Sequence, residues 1–306
     1  MNKLTKTLVS FILLGLLFVF SCQKKNEQKL DTILEGKATV HVDESIFPIV
    51  EDEAAVFETQ YNAKLDLISK SETEIMNSML NGTAKIAIIT RTLSAKELKA
   101  FQKKKITPKI TPFATDAVAF IKNKTNNDTL IALQDVIDVM NGKTVSTIKG
   151  LVFDNANSST VRYISEISGI TITNQKNIYS LKTNEEVIKY VADNNGMVGI
   201  IGINWIFQPP LDLQKFVDKV NVLAVKAVNK PEYFFPTQDN LAQEKYPLAR
   251  RLYIINGQGY SGLGMGFGSF ITGERGQRII LKSGLVPVRV PGRNIRIRNT
   301  ITKDKN

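Results

Sequence analysis

The sequence predicts an α/β protein with two lobes, each built around a mostly parallel sheet. Three observations carry that expectation. Short apolar strands alternate with amphipathic helices along most of the chain, the pattern of βαβ units. The alternation breaks after Pro112 and resumes its earlier character near Val222, so one lobe reads as inserted into the other, with two strands crossing between them. With 306 residues and 43% apolar content, the chain is long enough to bury a core in each lobe.

The first 22 residues stand apart from this plan. Lys3 and Lys6 precede an apolar run from Leu8 to Phe20, short of the ~20 residues that span a bilayer, so the segment reads as an export signal. An uncleaved anchor helix is the other reading. The run ends in "VFSC", a small residue and then cysteine, as in the lipoboxes cut by signal peptidase II, which makes Cys22 the expected lipidated first residue of the mature chain. Residues 23–36 are polar and charged and read as a tether, with folding expected from about Lys37.

The elements then follow in order. Ala38–Val42 alternates as a strand, and a helix follows with Ile46, Ile49, Val50, Ala54 and Phe57 on one face. Lys64–Ile68 is a second strand, followed by the loop "SKSET" and a helix that stops at Gly82. A third strand leads to Arg91 and to a helix opened by the capping box of Ser94 and Glu97. Beyond the break come a strand at Asp116–Lys122, a helix ending at Asn141 and Gly142, and the strand "GLVFDN". The loop "NSST" opens a helix from about Val161. "NEEVIKYVADNNGMVGIIG" reads as helix, glycine turn and buried strand, and "VNVLAVKAV" as one more strand. "YPLARRLYIINGQG" reads as a strand that a glycine-rich connection joins to a helix over about 267–282. Residues 37–112 with 240–306 are assigned to lobe I, and 113–239 to lobe II.

Composition limits the chemistry. A Ser/His/Asp triad or a zinc site would need His41, the sole histidine, which the alternation places on the solvent side of a strand. The sole cysteine is Cys22, so no disulfide is expected. No metal, cofactor or catalytic residue is expected. The net charge of +11 suits a partner that is anionic, small ion or lipid surface. Part of it lies in the last segment, Arg289–Asn306, with four Arg and two Lys against one Asp, which reads as a charged edge strand or a surface-binding tail. No nucleic-acid motif is present.

Binding is better supported. The loops at Ser45, "SKSET", Arg91 and "NSST" each lie between the carboxyl end of a strand and the amino end of a helix, where open α/β sheets collect ligands and helix N-termini favour anions. Each can also be no more than the cap of its own helix.

On the segments "TVHVDESIFPIVEDEAAVFETQY", "NGTAKIAIITRTLSAKE", "NSSTVRY", "NNGMVGIIG", "YPLARRLYI" and "RGQRIILKSGLVPV", in that order, the chain resembles the PstS-type phosphate-binding proteins of ABC transporters. The resemblance spans nearly the whole mature chain. It implies a type II periplasmic binding protein fold, inorganic phosphate or a related oxyanion in the interlobe cleft, a transporter permease as partner, a monomer, and a place in the cell envelope. Carried over by position, Ser45, Ile46, Phe47, Ser71 to Thr73, Arg91, Ser158, Ser159 and Thr160 would surround the anion. There are departures: "NSST" replaces a more glycine-rich Ser-Gly-Thr loop, Asp154 stands where many members carry Arg, and Arg91 where some carry Asp. An exchange of roles is expected, with Asp154 accepting the proton that distinguishes phosphate from sulfate and Arg91 supplying counter-charge. Two further readings stay open: an envelope lipoprotein, structural or signalling, that keeps the fold without the ligand, and a phosphoester hydrolase.

Overall fold

A computed structural model describes residues 30–170 and 176–292. Its principal sheet runs β2-β1-β3-β12-β4-β8-β6-β7, with two short strands, β9 and β13, also paired to β4. The strands are β1 (Glu35–Asp43), β2 (Asn62–Lys70), β3 (Ile86–Ile89), β4 (Lys109–Asn123), β6 (Gly150–Phe153), β7 (Ile178–Ser180), β8 (Met197–Gly202), β9 (Val220–Val222), β12 (Ala249–Asn256) and β13 (Val286–Pro287). A second small sheet joins β5 (Leu130–Ala132), β10 (Ala224–Lys226) and β11 (Tyr233–Phe234). The helices that bear on the site are α1 (Phe47–Gln60), α2 (Glu72–Asn81), α3 (Ala95–Lys103), α4 (Leu133–Met140), α5 (Ser159–Ser168) and α6 (Asn184–Asp193).

One strand belongs to both lobes. Over Lys109–Ala117, β4 pairs antiparallel with β12, and from Val118 to Lys122 it pairs with β8. Within lobe I, β1 is parallel to both β2 and β3, and within lobe II, β6 is parallel to both β7 and β8. The parallel pairs put the carboxyl ends of β1, β3 and β6, and the helix entrances that follow, toward the junction between the lobes. This is the predicted two-lobed α/β architecture.

Local chemistry accounts for most boundaries. Ile46, Ile49, Val50, Ala54 and Phe57, the predicted apolar face of α1, are all buried. Gly82 caps α2 in the left-handed conformation, and Ser94 with Glu97 forms the expected capping box of α3. One large core cluster runs under both lobes, and a smaller one, with Ile75, Met79, Phe101 and Ile255, lies beneath α2 and α3.

Several expectations are corrected. Strand β4 begins at Lys109, seven residues before the predicted Asp116, because Pro112 lies at a register shift against Leu252 and Tyr253, where a missing N–H is tolerated. "VNVLAVKAV" is two strands in two sheets, broken at Leu223. The glycine-rich connection is itself a helix, α7 (Leu263–Thr272), and Gly273 separates it from α8 (Glu274–Lys282). A Cβ on Gly266 would lie 1.6 Å from the Ile33 carbonyl oxygen, so the glycine permits backbone contact within a helix and does not mark a loop. That contact also places Ile33 in the fold, and Asp31 accepts from Tyr260 Oη at 2.5 Å, so order starts upstream of the expected Lys37. His41 is 5% exposed rather than solvent-facing, and burial lowers its pKa. Residues 1–29, including Cys22, and the basic segment 293–306 lie outside the described residues.

Candidate functional site

Strand β1 ends at Asp43, and the chain turns at once through a 3-10 turn, Glu44–Ile46, into α1. The turn is fixed by Asp43 Oδ1, which accepts from the Ser45 backbone N–H at 3.0 Å and from Ser45 Oγ at 2.8 Å. Across the junction, Ser159 opens α5, and its hydroxyl lies 3.0 Å from that of Ser45. The approach is close because β8 ends in Gly202, where a Cβ would stand 2.1 Å from the Ser45 carbonyl oxygen.

The cation at this junction is Arg250, on β12. Its guanidinium donates to Ser159 Oγ at 3.0 Å and to Ser45 Oγ at 2.9 Å, which places one fork over both lobes. Behind it, Nη2 reaches Asp116 Oδ2 at 2.9 Å, the residue opposite in the β4 register. Arg250, Ser45, Ser159, Asp43 and Asp116 are all at most 4% exposed. Burial would pull the Arg250 pKa down, but Asp116 and Asp43 carry it above its ordinary value. Burial, and then the charge of Glu72, push the Asp43 carboxyl up, with Arg250, Ser159 and Ser45 pulling back. Asp43 Oδ2 is buried and has no hydrogen-bond partner.

A second cluster lies nearer the cleft mouth. Glu72, the first residue of α2, accepts through Oε1 from Arg91 Nε and from Arg162 Nε, both at 2.7 Å. Through Oε2 it accepts from Arg162 Nη2 at 3.2 Å and from Thr90 Oγ1 at 3.3 Å. Arg91 and Thr90 follow β3 in lobe I, whereas Arg162 belongs to α5 in lobe II. Thr73 closes the same seam, its N–H and hydroxyl both directed at the Asn157 carbonyl. An open cavity of about 310 Å³ is lined by Glu72, Thr73, Arg91, Asn157, Ser158 and Arg162 among others.

Apart from Glu72 and Thr73, already placed in the second cluster, the residues named from sequence fall into three groups. Ser45 and Ser159 meet at the centre, with Ile46 and Phe47 just behind Ser45; the Ile46 side chain is fully buried in the core and the partly buried Phe47 packs against it. Asp154, Ser158 and Thr160 form a closed set, since Asp154 Oδ1 accepts from both hydroxyls and Oδ2 accepts from Asn184 Nδ2 at 3.0 Å. Burial raises the Asp154 pKa to about 6, against the lowering effect of Ser158 and Thr160. Ser71 and Arg91 lie apart from the two serines, Arg91 within the Glu72 cluster. The Ser71 hydroxyl donates to Glu74 within its own helix cap at 2.6 Å, and Arg91 is held bidentate by Glu97 at 2.8 Å for both contacts.

Sequence reasoning missed Arg250, Asp43 and Arg162, and took in Glu72 only as part of the Ser71–Thr73 loop. For Arg250 a signal was present: in "ARRLYII" the alternation of a strand sends one of two adjacent arginines inward, and an inward arginine needs a buried acceptor. Among the described residues no group of His, Cys, Asp or Glu is arranged to hold a metal ion, and no helix is long and apolar enough to cross a membrane.

Two buried serines, an arginine fork and a set of acids thus meet where the two α/β lobes join. The family model described as PBP superfamily domain matches residues 30–275, and the chain belongs to that family. Its fold is also that of known phosphate-transport receptors. A substrate-binding protein assigned to a phosphate ABC transporter, solved with bound phosphate, from Clostridium perfringens is 21% identical over 83% of this chain and 100% of its own, with a TM-score of 0.69. An ABC-type phosphate transport receptor from Vibrio cholerae is 19% identical, covering 81% of this chain and 99% of its own, with a TM-score of 0.61. PstS from Borrelia burgdorferi is 20% identical over 83% and 100%, with a TM-score of 0.50. No curated protein matches the sequence.

Proposed function

We propose that this protein is a non-enzymatic solute-binding component of an ABC transport system, and that it holds a tetrahedral oxyanion, phosphate above all, between its lobes. The observation that carries the reading is the Arg250 fork, which donates to Ser45 on one lobe and Ser159 on the other. An oxyanion that parts the two hydroxyls receives both of them together with the guanidinium. Charge-assisted hydrogen bonds contribute roughly 1.5 to 3 kcal/mol each, and micromolar affinity needs about 8 kcal/mol, so a handful is enough. The solved structures with this fold that are described as phosphate receptors support the same ligand.

We assign the proton acceptor to Asp43 rather than to Asp154, whose oxygens are taken by Ser158, Thr160 and Asn184. The free oxygen of Asp43 is already desolvated, and its carboxyl has Arg250 and Ser159 as neighbours. Monohydrogen phosphate brings a proton to share with it; sulfate at neutral pH brings none and would oppose a bare carboxylate. In calorimetric titrations, Asp43→Asn is expected to weaken phosphate binding by about 10- to 100-fold, one charged hydrogen bond, while sulfate binds as well as before or better. An unchanged phosphate-to-sulfate ratio would remove Asp43 from this role.

The reading places the protein in the cell envelope, exported by residues 1–22 and anchored by a lipid on Cys22. Metabolic labelling with a radioactive fatty acid is expected to mark the natural chain and not Cys22→Ser; equal labelling of both would refute the anchor.

A further inference from the structure

We infer that Glu72 is a tethered occupant of a second ring of anion donors beside the Arg250 fork, and that an incoming oxyanion completes its binding by displacing the Glu72 carboxylate from Arg162 and Thr90. The inference rests on the proposed oxyanion reading and adds to the Arg250, Ser45 and Ser159 donors a second set, Arg162, Arg91 and Thr90, for which Glu72 competes with the anion.

Four hydrogen bonds converge on this one side chain: two from Arg162 on lobe II, and one each from Thr90 and Arg91 on lobe I. Such a ring is what an oxyanion receptor presents, since a guanidinium Nε and Nη2 match two oxygens of a carboxylate or a phosphate equally well. The acceptor here comes from the protein itself, at the first turn of α2, where side chains project from the helix end. Arg91 is separately held by both oxygens of Glu97, and Arg162 by Glu166 at 2.6 Å, so these donors keep their positions when Glu72 leaves. The cavity of about 310 Å³ opens onto Glu72, Arg91 and Arg162, and offers both a route for the anion and room for the displaced side chain. The two clusters are within electrostatic reach of one another, because the Asp43 carboxyl is raised by the charge of Glu72 and lowered by Arg250.

A plain structural role for Glu72 predicts the opposite outcome. If the carboxylate serves only to latch lobe II to lobe I, removing it loosens the closed form and weakens binding. If it competes, removing it frees the site, and apparent affinity rises by the reciprocal of the fraction of molecules in which the site is free. With a carboxylate so fully satisfied, that fraction is about 1–10%, so Glu72→Gln is expected to bind phosphate about 10- to 100-fold more tightly than the natural protein. The measurement is a calorimetric titration of inorganic phosphate into both proteins in the same buffer, with circular dichroism as the check on folding. Glu72→Asp, which keeps the charge one methylene short, serves if the glutamine variant fails to fold, and is expected to show a smaller gain in the same direction. If the natural protein binds phosphate and both variants bind it equally or more weakly, the inference falls and the oxyanion reading stands. If no protein binds up to millimolar phosphate, both fall.

Discussion

Replacing Arg250 by glutamine is expected to lower the free energy of unfolding by about 3 to 5 kcal/mol, the usual cost of removing one partner from a buried ion pair. Asp116 is fully buried, its Oδ2 relies on Arg250, and its Oδ1 already lacks a partner. Burial raises the Asp116 pKa and Arg250 pulls it back, so without the arginine the carboxyl moves further up and folds in its neutral form. The sign of the pH effect follows. A carboxyl whose pKa is higher in the folded state contributes its stability at low pH and loses it as pH rises through the folded value. Arg250→Gln is therefore expected to be least impaired in acid and most impaired above neutrality. The double variant Arg250→Gln/Asp116→Asn recovers much of the loss. Denaturant titrations at pH 5 and pH 8 check both; a uniform small effect at both pH values would show that the pair is not the keystone of the junction. The same variant loses the fork that spans the lobes and is expected to lose oxyanion binding.

The second large effect concerns Glu53, on α1. It is fully buried, neither carboxyl oxygen has a hydrogen-bond partner, and burial, aided by Asp52, raises its pKa from 4.5 to about 9. The protein thus folds with a neutral glutamic acid in its core, and each pH unit between the two values costs roughly 1.4 kcal/mol. Stability is present in full below about pH 4.5 and declines as pH rises toward 9. Glu53→Met fills similar volume without a titrating group. It is expected to raise stability at pH 8 by roughly 5 kcal/mol, to change it by no more than about 1 kcal/mol at pH 5, and to flatten the pH profile between. A profile as steep as that of the natural protein would mean that Glu53 is not the group responsible.

How much of this was legible in the sequence depends on the range of the interaction involved. Periodicity placed the apolar face of α1, and local capping chemistry placed Gly82 and the Ser94–Glu97 box, because those signals act within one turn of helix. Ser45 and Ser159 were found for the same reason, as helix entrances after strands. What stayed hidden was the partner of each charge. Arg91 and Asp154 were read as facing the ligand, with no protein partner in view; Arg91 is held by Glu72 and Glu97, and Asp154 by its own loop hydroxyls and Asn184. Arg250 meets Ser159 across 91 positions and Ser45 across 205, distances at which no local pattern operates. His41 was misplaced because alternation gives the two faces of a strand but not whether the second face is covered. The split of the last helical region at Gly273 was missed because apolar residues continue on both sides of it.

The most direct test of the central claim is a calorimetric titration of phosphate, then of sulfate, into the purified natural protein at pH 7. The account predicts a single saturable phosphate site of micromolar or tighter affinity, with sulfate at least about tenfold weaker, as one shared proton would impose. Equal binding of the two anions would contradict the assigned acceptor, and no binding of either at millimolar concentration would contradict the oxyanion site itself.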